Sequence, residues 1–300
     1  MYVFINSLFG ETPPARQTSL PMIEARSIHL AELGIRTRVL EAGNGPTVLL
    51  LHGNPDNAEE WALVIERLSA GYRCIAPDFP GYGNSPEPPA SFTYSLSDQM
   101  RFVDAVLQAV QVTEPVILVV HDTGGMVGTA WAAANLDRIK GMVVTNTVAF
   151  DGFPWFAIAR QWADTTLYGR LRSWLGMAAL GLRGGALFKR IFARQCPQLD
   201  EAQLERFALS FARNRDAKRT TLRQFRQFMR PGFFRDFAAM RERILACRPC
   251  RVIWGDNDRF IPVRFAHAFG CKQVTIVPDA GHWIALTAPD ALAREVKALG

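Results

Sequence analysis

The stretch from Pro115 to Leu136 limits the possible folds of this chain more than any other. Pro115–Val120 (PVILVV) is a short apolar run rich in β-branched residues and reads as a buried strand. It passes directly into His121-Asp122-Thr123-Gly124-Gly125 and then into MVGTAWAAANL, which has helical composition. A strand that becomes a helix through a turn crowded with small residues belongs to an alternating strand–helix architecture. The sharp turn lifts one side chain above the end of the sheet. Here that side chain is the carboxylate of Asp122.

A serine at such a turn needs a base to take its proton. A carboxylate, with an ordinary pKa of about 3.9, is an anion at neutral pH. Its attack on an ester or amide gives a labile mixed anhydride. Its attack on a saturated carbon bearing a leaving group gives a stable alkyl ester. Asp122 therefore points to displacement at sp3 carbon, of a halide or of the oxygen of a strained ring, and away from esterase or peptidase chemistry. An aspartate there can also be a mere turn or helix N-cap residue, so the rest of the chain has to decide.

Three other strand ends carry matching groups. Val252-Ile253-Trp254-Gly255 is followed by Asp256-Asn257-Asp258 and Pro262. Val274–Val277 is followed by Pro278-Asp279-Ala280-Gly281-His282-Trp283. Val48–Leu51 ends in His52-Gly53-Asn54-Pro55. Each alone reads as a turn former or a structural histidine. Together they place a nucleophile, an acid and a histidine at 122, 258 and 282, in the order of one known hydrolase triad. His52 reads as structural. His121 precedes Asp122 on the strand and is expected on the opposite face. His29 and His267 have no motif around them.

These segments identify a resemblance. HGNPDNAEEW (52–61), DFPGYGNS (78–85), HDTGGMVG (121–128), NTVAF (146–150), WGDNDRFIP (254–262) and GHW (281–283) resemble the haloalkane dehalogenase and epoxide hydrolase group of the α/β-hydrolase fold, over nearly all of residues 26–300. The resemblance implies a mostly parallel eight-stranded sheet with helices on both faces and a helical cap inserted after strand 6. It implies catalysis by Asp122, Asp258 and His282. Asp258 is preferred to Asp256 because D-x-x-x-P matches the family pattern. The backbone N–H groups of Asn54 and Thr123 would form the oxyanion hole, with no cofactor or metal. The Asn54 amide would serve a departing halide, which favours the dehalogenases. Thr123 departs from that family, which carries Trp after the nucleophile as its second halide donor. Trp155, Trp162 or Trp174 of the cap could compensate. Epoxide hydrolases use cap tyrosines, and this cap has only Tyr168. A related branch opens β-lactones. A non-catalytic binder of hydrophobic ligands on the same scaffold is the remaining alternative, against which the complete triad argues.

Composition sets outer limits. Three hundred residues, 49% hydrophobic and 21% charged, suit a soluble enzyme with a sizeable core. Strands are expected near 28–33, 36–41, 47–52, 73–77, 115–121, 141–146, 250–254 and 273–277. Core helices are expected near 58–70, 95–111, 125–136, 234–246, 263–268 and 289–298. Residues 1–25 read as an N-terminal arm, 26–150 with 234–300 as the core, and 151–233 as the cap. Residues 151–230 hold 15 Lys and Arg against 6 Asp and Glu, although the whole chain is only +6. That charge reads as a solvated outer face. No motif supports nucleic-acid binding. Val3–Ile5 is too short for a signal or membrane segment, so a cytoplasmic location without membrane contact is expected. A small hydrophobic substrate and a monomer or homodimer complete the expectations. Five cysteines form no disulfide framework, and Cys247-x-x-Cys250 is an isolated pair.

Overall fold

Apolar runs with no polar face require a sheet covered on both sides, and the computed structural model, which describes residues 22–300, contains one. In chain order its first half is β1 (Glu24–Leu30), β2 (Ile35–Ala42), β3 (Thr47–Leu51), α1 (Ala62–Leu68), β4 (Arg73–Pro77), α2 (Leu96–Ala109), β5 (Val116–His121), α3 (Asp122–Ala134) and β6 (Ile139–Thr147). A run of helices follows: α4 (Ala157–Ala163), α5 (Leu167–Leu180), α6 (Ala186–Ala193), α7 (Glu201–Ala212), α8 (Arg215–Phe228) and α9 (Phe237–Cys247). The chain then closes with β7 (Cys250–Gly255), α10 (Arg264–Ala268), β8 (Gln273–Val277), α11 (Ile284–Thr287) and α12 (Pro289–Lys297).

The eight strands form one sheet in the order β1-β2-β4-β3-β5-β6-β7-β8. Only β2 runs against the rest. β5 lies inside the sheet, and its alternate residues feed two cores. Leu118 and Val120 pack on one face, Ile117 and Val119 on the other. Burying each such side chain is worth roughly 1.5–3 kcal/mol.

The expected elements are present with three corrections. The first strand begins at Glu24 rather than near 28, so the expected arm overlaps it, and a 3-10 turn at Ala31–Leu33 ends on Gly34 at φ 62°. The rest of that arm, 1–21, lies outside the described residues. The helix expected at 58–70 is a 3-10 turn, Ala58–Trp61, capped by Asn57, followed by α1. α3 begins at Asp122 itself rather than at 125. Cys250 lies against Cys271, Sγ to Sγ 2.6 Å.

The helices between β6 and β7 break the strand–helix alternation, as the composition of that stretch implies. α5 is unusual among them. Its buried residues are Gly169, Ser173 and Met177. A Cβ on Gly169 would lie 2.0 Å from Asp164 Cγ, and Ser173 Oγ donates to the Gln161 carbonyl at 2.8 Å. Close packing on α4 thus selects small residues at 169 and 173 of α5, and Leu167, Tyr168, Leu171, Trp174 and Leu175 point outward.

Candidate active site

Asp122 sits at φ 44°, in the left-handed region that β-carbon-bearing residues seldom occupy. Such a residue stores about 1–3 kcal/mol of strain. The small neighbours are required by space. A Cβ on Gly53 would lie 2.4 Å from Asp122 Cβ, and one on Gly124 would lie 2.3 Å from the His52 carbonyl oxygen. One on Gly125 would meet Thr147 Oγ1 at 2.0 Å. The turn is pinned from β6, where Thr147 Oγ1 donates to the Asp122 carbonyl at 2.8 Å. The Asn54 backbone N–H donates to Asp122 Oδ2 at 2.9 Å. Among the described residues, Asp122 Oδ1 accepts no hydrogen bond, so it is the freer oxygen of the two.

The other two members of the predicted triad meet as expected. His282 Nδ1 lies 2.8 Å from Asp258 Oδ2, and Nε2 has no hydrogen-bond partner among the described residues. Asp258 Oδ1 accepts the backbone N–H groups of Phe260 and Ile261 at 2.7 and 2.9 Å. Asn146 Nδ2 donates to Asp258 Oδ2 at 2.7 Å. Burial alone would raise the Asp258 pKa, but the nearby His282 charge and these hydrogen bonds outweigh it and hold the carboxyl below its ordinary value. Asn146, at φ 36°, was visible only as part of NTVAF; its side chain has a clear task, aiming the acid. His52 is structural. Its Nε2 accepts the Phe79 N–H at 2.8 Å, and burial lowers its pKa to about 4, so the ring is neutral.

Asp122 and His282 share the wall of a cavity of about 360 Å³, which also takes in Asn54, Trp155 and Trp162. Thr221 Oγ1 donates to Asn54 Oδ1 at 2.6 Å, and Tyr82 Oη lies 3.0 Å from the same oxygen. With its oxygen engaged, the carboxamide has Nδ2 left to donate. The sequence reading missed this clamp of Tyr82, Thr221 and Gln224, because its members lie 139 and 142 residues apart. Thr123 is buried, and its side chain is not on the cavity wall. Two expectations need correction. Tyr168 and Trp174 are 68% and 63% exposed on the outer face of α5, away from the cavity.

Behind His282 lies a buried acidic group that the sequence reading did not single out. Asp56, Glu60 and His121 bring ligand atoms within 4.8 Å of one another, and this is the one grouping of metal-ligand type among the described residues. Trp283 Nε1 donates to Asp56 Oδ2. The His121 ring lies 4.5 Å from that of His282, centroid to centroid. Glu60 Oε1 is 2.9 Å from His121 Nδ1, but the approach is off the hydrogen-bond direction, and both atoms are left without a partner. Burial, then the Glu60 charge, raises the Asp56 pKa to about 8, while His121, Trp283 and His282 pull the other way. Burial raises Glu60 too. An acid that holds its proton more tightly when folded stabilises the fold below its unfolded pKa and loses that contribution as pH rises to the folded one. In the urea midpoint, buried His52 therefore contributes a rising slope up to about pH 6.5, and Asp56 a falling slope between about pH 4 and 8. Asp56→Asn keeps an acceptor for Trp283 and should flatten that slope; parallel slopes would contradict the assignment.

Comparison with known proteins agrees with this fold. Residues 46–289 match the model of the family described as alpha/beta hydrolase fold. The chain belongs to the α/β-hydrolase family. It is 28% identical to the cis-3-alkyl-4-alkyloxetan-2-one decarboxylase of Xanthomonas campestris pv. campestris, over 88% of this chain and 92% of that protein. It is 26% identical to haloalkane dehalogenase 2 of Mycobacterium tuberculosis, over 87% and 90% of the two chains. An α/β-hydrolase-fold protein from Burkholderia ambifaria superposes with a TM-score of 0.72 at 24% identity, covering 91% of this chain and 99% of that one. This α/β-hydrolase is therefore an enzyme of the group that contains the haloalkane dehalogenases, with the oxetanone decarboxylases as further relatives.

Proposed function

We propose that this α/β-hydrolase displaces a leaving group from sp3 carbon through an alkyl ester on Asp122, with alkyl halides as its first substrate class. The observation that supports this most is the nucleophile itself: a carboxylate on the strained turn, facing an apolar cavity beside His282. Asp122 Oδ1 attacks carbon as the carbon–halogen bond breaks, and the halide departs with the electron pair. Asn54 Nδ2 supplies one hydrogen bond to that anion. The indole N–H groups of Trp155 and Trp162 have no partner among the described residues and offer a second. His282 Nε2 then takes a proton from water, whose oxygen attacks the ester carbonyl carbon. The oxyanion is met by the backbone N–H groups of Asn54 and Thr123. Collapse releases the alcohol and restores Asp122.

A second reading is favoured by one feature. The side chain after the nucleophile is withdrawn from the cavity, so no donor stands there for a halide. A β-lactone asks less of such donors, because opening the ring relieves strain. Asp122 would attack the saturated ring carbon bonded to oxygen, breaking that carbon–oxygen bond and freeing the lactone carboxylate. Loss of carbon dioxide would then form the alkene and expel Asp122. The relative named as an oxetanone decarboxylase supports this reading. An epoxide substrate is disfavoured by the outward position of Tyr168. The test is product analysis of the wild-type enzyme with 1-bromoalkanes and with dialkyl β-lactones. Bromide and alcohol support the first reading; alkene and carbon dioxide from the lactone alone would replace it with the second.

A further inference from the structure

We propose that the outer face of α5 and α6 is a docking surface for an anionic lipid bilayer, and that the active-site cavity opens onto it. Leu167, Tyr168, Leu171, Trp174 and Leu175 fall at helical spacing on α5 and are 51–88% exposed. Leu182, 66% exposed, extends the face in the turn where Arg183, Gly184 and Gly185 all have positive φ. A contiguous apolar face of this kind is uncommon on a soluble monomer and marks an interaction site.

Charge identifies the occupant. Residues 152–199 contain seven Lys and Arg and a single acid, Asp164. Arg170, Arg172, Arg183 and Arg190 are exposed, and none is in an ion pair among the described residues. An outward apolar stripe flanked by arginines is the pattern of a helix lying in the headgroup region of an anionic membrane. A two-fold contact with a second copy would set the same cations against themselves. The expectation of a solvated, charged outer face is thus replaced by an apolar one with a basic border. The absence of any described helix able to span a bilayer bears on crossing, not on docking.

The cavity joins this surface. Ile158, Leu187 and Ile191 line the cavity and are also 37–52% exposed, so the cavity wall reaches the surface on α4 and α6, and Gly176 and Ala179 of α5 belong to the same wall. An apolar substrate dissolved in lipid would pass from bilayer to Asp122 along apolar side chains. That route rests on the proposed chemistry; the docking itself does not, and vesicle binding reads no turnover.

The experiment is co-sedimentation of the full chain with vesicles of phosphatidylethanolamine and phosphatidylglycerol, and with vesicles of phosphatidylcholine alone. The expected result is a partition coefficient about tenfold higher for the anionic vesicles, reduced by high salt. The double variant Leu171→Gln with Leu175→Gln touches neither cavity nor core and should lose at least about tenfold in binding. Its circular dichroism and thermal midpoint should match wild type. Arg170→Gln with Arg172→Gln should lose the preference for anionic lipid. Wild-type protein that stays in the supernatant overturns the proposal. So does a dimer in sedimentation equilibrium that the leucine variant dissociates, which would assign the face to a second copy.

Discussion

Asp122→Ala should lower kcat/KM for the best substrate by at least about 10,000-fold, the scale on which removing a covalent nucleophile costs an enzyme that uses one. The substitution leaves the rest of the site standing. Asp258 keeps its bonds to Asn146, Phe260 and Ile261, and His282 keeps Asp258. The apolar cavity also keeps its wall, so an unreactive substrate analogue should bind nearly as before. A loss confined to kcat, with binding of the analogue retained, is the expected pattern. Comparable loss of both would instead indicate a collapsed turn, and thermal unfolding would show it. Retained activity would remove Asp122 from the chemistry altogether.

His282→Gln should separate the two half-reactions. Displacement needs Asp122 and the leaving-group donors but no general base. Hydrolysis of the ester needs His282 Nε2. With a bromoalkane, the variant should release one equivalent of bromide per active site and then stop, with steady-state turnover down by about 10,000-fold. Intact mass should show the alkyl group on the protein. The β-lactone route consumes no water, so the same variant should continue to form alkene. Equal loss of both activities would mean that His282 also positions the nucleophile or the substrate. The Gln side chain retains a polar contact with Asp258, which limits the burden of leaving that buried carboxylate without its partner.

The parts of this site that were legible in the sequence are those built within a few residues. Asp122, Asp258, His282 and Asn54 each follow a short apolar strand, and the turn after each strand end is itself the motif. Strand positions were legible for the same reason, since β5 and β7 are apolar on both faces. The helical insert was legible as such, but the inward and outward faces of its helices were not. Pattern reasoning assigns large apolar residues to the inner face of a helix, yet α5 packs through Gly169, Ser173 and Met177. That inversion sent Tyr168 and Trp174 outward and left Trp155 and Trp162 on the cavity. Thr221 and Gln224 lie on α8, where only the fold brings them to Tyr82. Asp56 and Glu60 follow the oxyanion loop and look like ordinary capping acids. Nothing in their spacing reveals that β5 brings His121 against them and that the His282 loop brings Trp283 to Asp56.

The central claim, an ester on Asp122, is tested most directly by a single turnover in water enriched in oxygen-18, with enzyme in excess over a substrate that it converts to an alcohol. Peptide mass spectrometry should find one heavy oxygen in the peptide that carries Asp122, and the alcohol should retain ordinary oxygen, because water attacks the ester carbonyl and not the substrate carbon. Heavy oxygen in the alcohol, with the Asp122 peptide unlabelled, would contradict the account and make Asp122 a base for direct attack by water.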